Sequence, residues 1–176
     1  MRKVILSVAV SLDGFIEGPN GEYDWCFTDQ DYGMSGFFKR IDSMFIGRKS
    51  YELMQTMGDE AMPGFPKLTE YVFSTTLNEV KPGAVLVRGD IDAIVRQIKN
   101  QQGKDIWLFG GASLTTLLLN LDLVDEISLA VHPIILGSGK PLFSNIKERT
   151  LLTLTDTKTY SSGLVSLNYV LARDNT

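Results

Sequence analysis

Residues 105–121 read DIWLFGGASLTTLLLNL. After Asp105, Ile106 to Phe109 are apolar and aromatic, as a buried strand requires. Gly110-Gly111 interrupts the run, and a mostly apolar stretch of helical length follows. A strand that turns through glycine directly into a helix is the building unit of α/β folds. The same unit recurs upstream at 43–57. SMFIG predicts a short strand ending at Gly47, and RKSYELMQTM places Tyr51, Met54 and Met57 at helical spacing.

The rest of the chain extends the pattern. Residues 3–10, KVILSVAV, read as a buried central strand. Residues 11–36 are polar with turn signals at Gly14, Pro19-Asn20-Gly21 and Gly33, and predict a long loop, a length usually kept for function. A short helix is expected over 36–42, and Met62 to Pro66 breaks the chain twice at proline. EYVFST (70–75) and AVLVR (84–88) read as strands. Asp90 caps a helix striped by Ile91, Ile94, Val95 and Ile98, with Gly103 as its stop. DEISLAVHPII (125–135) predicts a long strand, and 150–172 alternates about Ser161-Ser162-Gly163 as a hairpin. The expected fold is three-layer α/β/α, one domain over 1–176, with a mostly parallel sheet and an antiparallel C-terminal hairpin.

Composition narrows the function. The 176 residues are 44% apolar and 22% charged, an ordinary globular balance. A net charge of −4 argues against a nucleic-acid partner, which needs a basic footprint. No apolar run reaches the roughly 18 residues of a spanning helix. The opening MRKVILSVAVSLDG reads as a strand rather than a signal peptide, so the expected compartment is the cytoplasm and no membrane partner is expected. Cys26 is the only cysteine and His132 the only histidine, so neither a disulfide nor a multi-histidine or cysteine-rich metal site is expected. His132, inside a strand-like run and beside a proline, is read as structural.

Two strand–glycine–helix junctions offer anion chemistry, because first-turn amides point outward unpaired and the helix dipole favours negative charge there. At Gly47 the helix opens with Arg48, Lys49 and Ser50; these are either a solvated basic pair or a phosphate grip. At Gly110-Gly111 the missing Cβ atoms admit a ligand to the amides of Ala112, Ser113 and Leu114, or simply make a tight turn. Ser74, Thr75 and Thr76 at one strand end and Arg88 at the next suit a terminal phosphate monoester, such as the 2′-phosphate of NADPH, or are plain loop polarity. GSGKP at 137–141 is neither a Walker loop nor a dinucleotide fingerprint.

Six segments in register, VAVSLDGFI, MFIGRKSYE, YVFSTTL, VLVRGDIDAI, IWLFGGASLTTLLL and DEISLAVHPIILGSGKPLF, resemble the dihydrofolate-reductase-like superfamily. The resemblance is closest to the branch of the C-terminal reductase domain of the riboflavin-biosynthesis deaminase/reductase. It implies NADPH as cofactor, with Gly47, Arg48, Lys49 and Ser50 on its phosphates. It implies Ser74, Thr75, Thr76 and Arg88 by the 2′-phosphate, and Gly110 to Leu114 under pyrophosphate and nicotinamide. Val8 and Ala9 are implied near the nicotinamide amide. A homodimer through the C-terminal strands is a further implication.

Dihydrofolate reductases carry a carboxylate four residues before a helix phenylalanine; here those positions are Gly33 and Met34. The resemblance therefore points away from folate and toward 5-amino-6-(5-phosphoribosylamino)uracil as the molecule reduced. Asp13 and Asp31 are the candidate acids, each with a plainer reading as a turn or capping aspartate. Asp13, Trp25 and Phe37 are the candidate substrate contacts. Trp25, Phe27, Tyr32 and Phe37 form either a stacking wall or part of the core. Plain dihydrofolate reductase and a non-catalytic nucleotide-binding module are the alternatives.

Overall fold

A computed structural model describes residues 1–57 and 64–172. The elements run β1 (Val4–Ser11), β2 (Phe15–Glu17), α1 (Met34–Arg40), β3 (Ile41–Gly47), α2 (Arg48–Met57), β4 (Thr69–Phe73), β5 (Val85–Val87), α3 (Ile91–Asn100), β6 (Asp105–Gly110), α4 (Ala112–Asn120), β7 (Glu126–His132), β8 (Lys140–Pro141), β9 (Leu152–Thr159) and β10 (Val165–Leu171). Among the described residues, eight strands form one sheet in the order β5-β4-β3-β6-β1-β7-β10-β9. The strands from β5 to β7 are parallel, and β10 runs antiparallel to both β7 and β9.

The layers follow from which side chains alternate inward. On one face Val4, Leu6, Phe45, Leu108 and Ile127 pack under Val95 and Ile98 of α3 and Leu114, Leu118 and Leu119 of α4. On the other, Met44, Ile46, Val72 and Trp107 pack under Phe37 and Phe38 of α1 and Tyr51 and Met54 of α2. This is the expected α/β/α sandwich. Of the α2 stripe, Tyr51 is buried, while Met57 is exposed.

Several boundaries differ from expectation. The first helix starts at Met34, two residues early, because the Asp31 carboxylate accepts from the Ser35 amide (2.9 Å) and stands in for a cap. The strand expected over 125–135 stops at His132, before the amide-less Pro133. The long loop contains β2, which pairs with β8. The hairpin contributes one edge strand rather than two, since β10 is clasped between β7 and β9. Of the expected break at Met62 to Pro66, Met62 and Pro63 lie outside the described residues.

Candidate functional site

The strand order arranges the candidate residues in a line. β3, β4, β5 and β6 are parallel, so their C-terminal ends share one edge. Along it come Arg88 after β5, Ser74 to Thr76 after β4, Gly47 to Ser50 after β3, and Gly110 to Leu114 after β6. From β5 to β6 is three strand spacings, roughly 14 Å, the reach of an extended ligand rather than a lone anion.

The two glycine junctions adjoin. Ile46 of β3 is in register with Gly110 of β6. A Cβ added to Gly47 would lie 3.7 Å from the Gly110 carbonyl and 3.8 Å from Leu114 Cβ; one on Gly111 would lie 3.6 Å from Ser50 Oγ. Gly110 and Gly111 adopt φ of 117° and 74°, a region that other residues enter at a cost. The start of α4 has no side-chain cap, and neither α2 nor α4 has an acid in its first turn. α3 is the internal contrast: Asp90 accepts from the Ala93 amide (3.1 Å), and Asp92 sits in the first turn. Helix starts that merely close a turn can be satisfied as α3 is. Those of α2 and α4 are left electropositive, side by side.

The cations differ in their freedom. Arg48 is held by Glu52 one turn on, Nη1 to both carboxylate oxygens at 2.9 and 3.1 Å, and both side chains are part-exposed. The sequence reading missed Glu52, although i,i+4 spacing announces it. Lys49 is exposed. Arg88 is exposed and makes no ion pair among the described residues. Ser74 Oγ accepts from the Thr76 and Leu77 amides (3.1 and 3.0 Å), which shapes the turn, and lies 3.4 Å from Thr76 Oγ1; Thr75 and Thr76 are exposed.

Beside this edge, β1 opens a second feature. Its ladder with β6 stops at Leu6–Leu108, while its pairing with β7 runs on to Ser11–His132. From Ser7 onward β1 therefore has an unpaired side facing β6. Trp107 Nε1 donates to the Ser7 carbonyl there (2.9 Å). In a parallel strand alternate residues point to opposite neighbours. Ala9 accordingly presents its amide and carbonyl to the gap, and Val8 turns its own toward β7.

Asp13 and Asp31 are both engaged. Asp13 accepts from Ser11 Oγ (2.7 Å) and from the amides of Leu136 (3.1 Å) and Gly137 (2.7 Å). These donors, the Ser11 hydroxyl foremost, hold its carboxyl below the usual carboxylate range. Asp31 accepts from the Ser35 hydroxyl and amide and the Gly33 amide, with Ser35 again the main cause of a lowered pKa. Acids so held are ionised near neutrality.

The aromatic residues of the long loop do not gather into one wall. Trp25 meets the His132 imidazole edge-on (5.3 Å) beside Phe27 (5.0 Å), and Phe27 leads through Tyr32 to Tyr160. Phe37 packs instead on Trp107 (5.4 Å), within the α1 core. His132 is buried at 3% exposure, with Nδ1 2.9 Å from the Ala130 carbonyl and Nε2 3.1 Å from the Phe27 amide. Burial pushes the Cys26 thiol up to about 11, which leaves it a poor nucleophile near neutrality.

Known proteins share this architecture. Over 96% of this chain and 94% of its own length, the uncharacterized protein YyaP of Bacillus subtilis (strain 168) is 46% identical; YwjB of the same organism is 34% identical over 97% and 99%. A candidate riboflavin biosynthesis protein from Shewanella sp. PV-4 superposes with a TM-score of 0.85 at 26% identity, covering 97% of this chain and 99% of that one. The Thermotoga maritima diaminohydroxyphosphoribosylaminopyrimidine deaminase/5-amino-6-(5-phosphoribosylamino)uracil reductase superposes with a TM-score of 0.75 at 12% identity, covering 97% of this chain and 57% of that one. The RibD C-terminal domain pattern matches residues 2–166, and the chain belongs to that family.

Proposed function

We propose that this protein is an NADPH-dependent reductase of a small nitrogen heterocycle, nearest in type to 5-amino-6-(5-phosphoribosylamino)uracil reductase. One observation carries the reading. The order β5-β4-β3-β6-β1 sets the candidate groups in the sequence in which an extended NADPH would present its parts. Arg88 and Ser74 to Thr76 take the 2′-phosphate. Arg48, Lys49, Ser50 and the amides after Gly47 and Gly110-Gly111 take the pyrophosphate. The freed backbone of Ala9 takes the carboxamide, with Val8 shaping the strand beside it. The acid-free starts of α2 and α4 fit this cofactor, since a capping carboxylate would repel it.

Bound nicotinamide would supply the hydride, and the protein would hold the acceptor over it. Substrate would lie on the small-residue face of β1 and β7 between Trp25 and Phe37. Asp13 and Asp31 stay ionised. Asp13 shapes the site by holding residues 136–137, and Asp31 by starting α1, so the proton comes from water or the substrate itself. Homodimerisation through the C-terminal strands belongs to the same reading, because every residue of β9 is exposed.

Cofactor titration tests the core of this. NADPH at a hundred times its Kd stabilises a protein by about 2.7 kcal/mol. A melting temperature unmoved by NADPH, with unquenched tryptophan fluorescence, removes the dinucleotide. NADPH consumption with the phosphoribosyl pyrimidine against dihydrofolate then separates the two reductases. Binding without turnover of either would favour the non-catalytic module or a different heterocycle.

A further inference from the structure

The segment between Gly21 and Tyr32 has a narrow hold on the sheet. Residues 21–24 and 27–31 are exposed, and Trp25 and Cys26 are half-buried. At its far end the Tyr32 hydroxyl bonds Ser162 Oγ (3.0 Å), and its ring meets Tyr160. Before its middle the Tyr23 hydroxyl makes a long contact to Met57 Sδ (3.8 Å) on α2, and in its middle the tie to the sheet is through His132. The Phe27 amide donates to Nε2 (3.1 Å), so that nitrogen carries a lone pair. The ring proton is therefore on Nδ1, donated to the Ala130 carbonyl (2.9 Å). Trp25 and Phe27 close over the imidazole. Both nitrogens are satisfied only while the ring is neutral.

We propose that neutral His132 is the catch of an acid-released flap, residues 22–32, fastened at the C-terminal end of β7. A proton taken from solvent at Nε2 removes the lone pair and sets N–H against the Phe27 N–H. The catch then becomes a donor–donor clash in a buried place. Among the described residues no carboxylate hydrogen-bonds to the ring to offset its charge. β1 presents Ser11 in register with His132, and Asp13 beyond it is engaged by Ser11, Leu136 and Gly137. On the flap the titratable neighbours are Asp24 and Cys26, and β10 meets the end of β7 through Val165 opposite Val131. None of these groups hydrogen-bonds to the imidazole among the described residues. Burial accordingly lowers its pKa.

The sign follows from linkage. The fastened state binds the proton more weakly than the open flap, where the ring regains its ordinary value near 6.5. Below about pH 6.5 the open-to-closed ratio therefore rises, by up to about tenfold per pH unit, until the fastened imidazole itself titrates. Above that pH the catch is at full strength.

His132 is the only histidine, so its ring resonances are unambiguous in an NMR titration of the full chain. The expected result is one shared midpoint, below 6.5, for the His132 ring, the Phe27 amide and the Trp25 indole. Amide exchange across 22–32 should rise with it, while 105–120 stays protected. His132→Gln keeps an oxygen able to accept from Phe27 and should hold the flap without any pH step; His132→Leu should leave it open at every pH. The proposal is overturned if His132 titrates without moving Phe27 and Trp25, if it never titrates before acid unfolding, or if the exchange step survives in His132→Gln. Should the variants fail to fold, the wild-type coincidence of midpoints decides alone. None of these readouts needs NADPH, so the flap and the cofactor reading fail separately.

Discussion

Arg88 and Arg48 carry the same charge in different circumstances. Arg88 is exposed and makes no ion pair among the described residues, whereas Arg48 is shared with Glu52. If Arg88 meets the 2′-phosphate, Arg88→Ala removes a charged hydrogen bond of about 1.5–3 kcal/mol. NADPH affinity should fall about tenfold or more, and NADH affinity should hold within about twofold, in a fluorescence titration; equal losses would dissolve the assignment. The Arg48–Glu52 pair is exposed enough to be worth only about 0.3–0.5 kcal/mol. Glu52→Gln should therefore free Arg48 and tighten NADPH by about twofold; unchanged affinity would mean that Arg48 reaches no phosphate. Residue identities were legible in the sequence, but their partners were not. The amides that hold Asp13 come from Leu136 and Gly137, more than a hundred residues away, and no spacing rule announces them.

Among the elements, helices α2 and α4 against α3 make a comparison within one chain. Asp90→Ala should cost about 0.5–2 kcal/mol of stability by uncapping α3 and leave NADPH binding unchanged, as denaturant unfolding and titration would show. Gly111→Ala should lower both stability and NADPH affinity: its φ of 74° strains an L residue by about 1–2 kcal/mol, and the new methyl would approach Ser50 beside the α2 start. A Gly111→Ala protein that binds NADPH normally would argue that the junction is only a turn. Long periodic elements were readable because an apolar face repeats several times within each. β2 and β8, three residues and two, offer no period to read. Their pairing depends on Asp13 drawing the 136–137 segment back to the end of β1, a contact known only from the fold.

At the scale of the whole molecule, the alternation of elements foretold a parallel sheet but not its order. β6 enters between β3 and β1, out of chain sequence, and that insertion brings Gly110-Gly111 beside Gly47. The opposite edge of the sheet carries the remaining expectation. All eight residues of β9 are exposed, so the strand meets a backbone ordering cost of about 1–2 kcal/mol per residue with little burial in return. The irregularity in its ladder between Asn168 and Tyr169, together with Lys158, guards the edge against strand addition. A second copy would therefore pack on its face, where Leu152 and Leu154 align with Leu171 and Tyr169 near Phe143, which is 43% exposed. Sedimentation at micromolar concentration should show a dimer. Leu154 is already 50% exposed within one chain, so Leu154→Lys should leave the melting of the monomer nearly unchanged while driving dissociation. A wild-type protein that sediments as a monomer would remove the homodimer and leave β9 as a guarded edge.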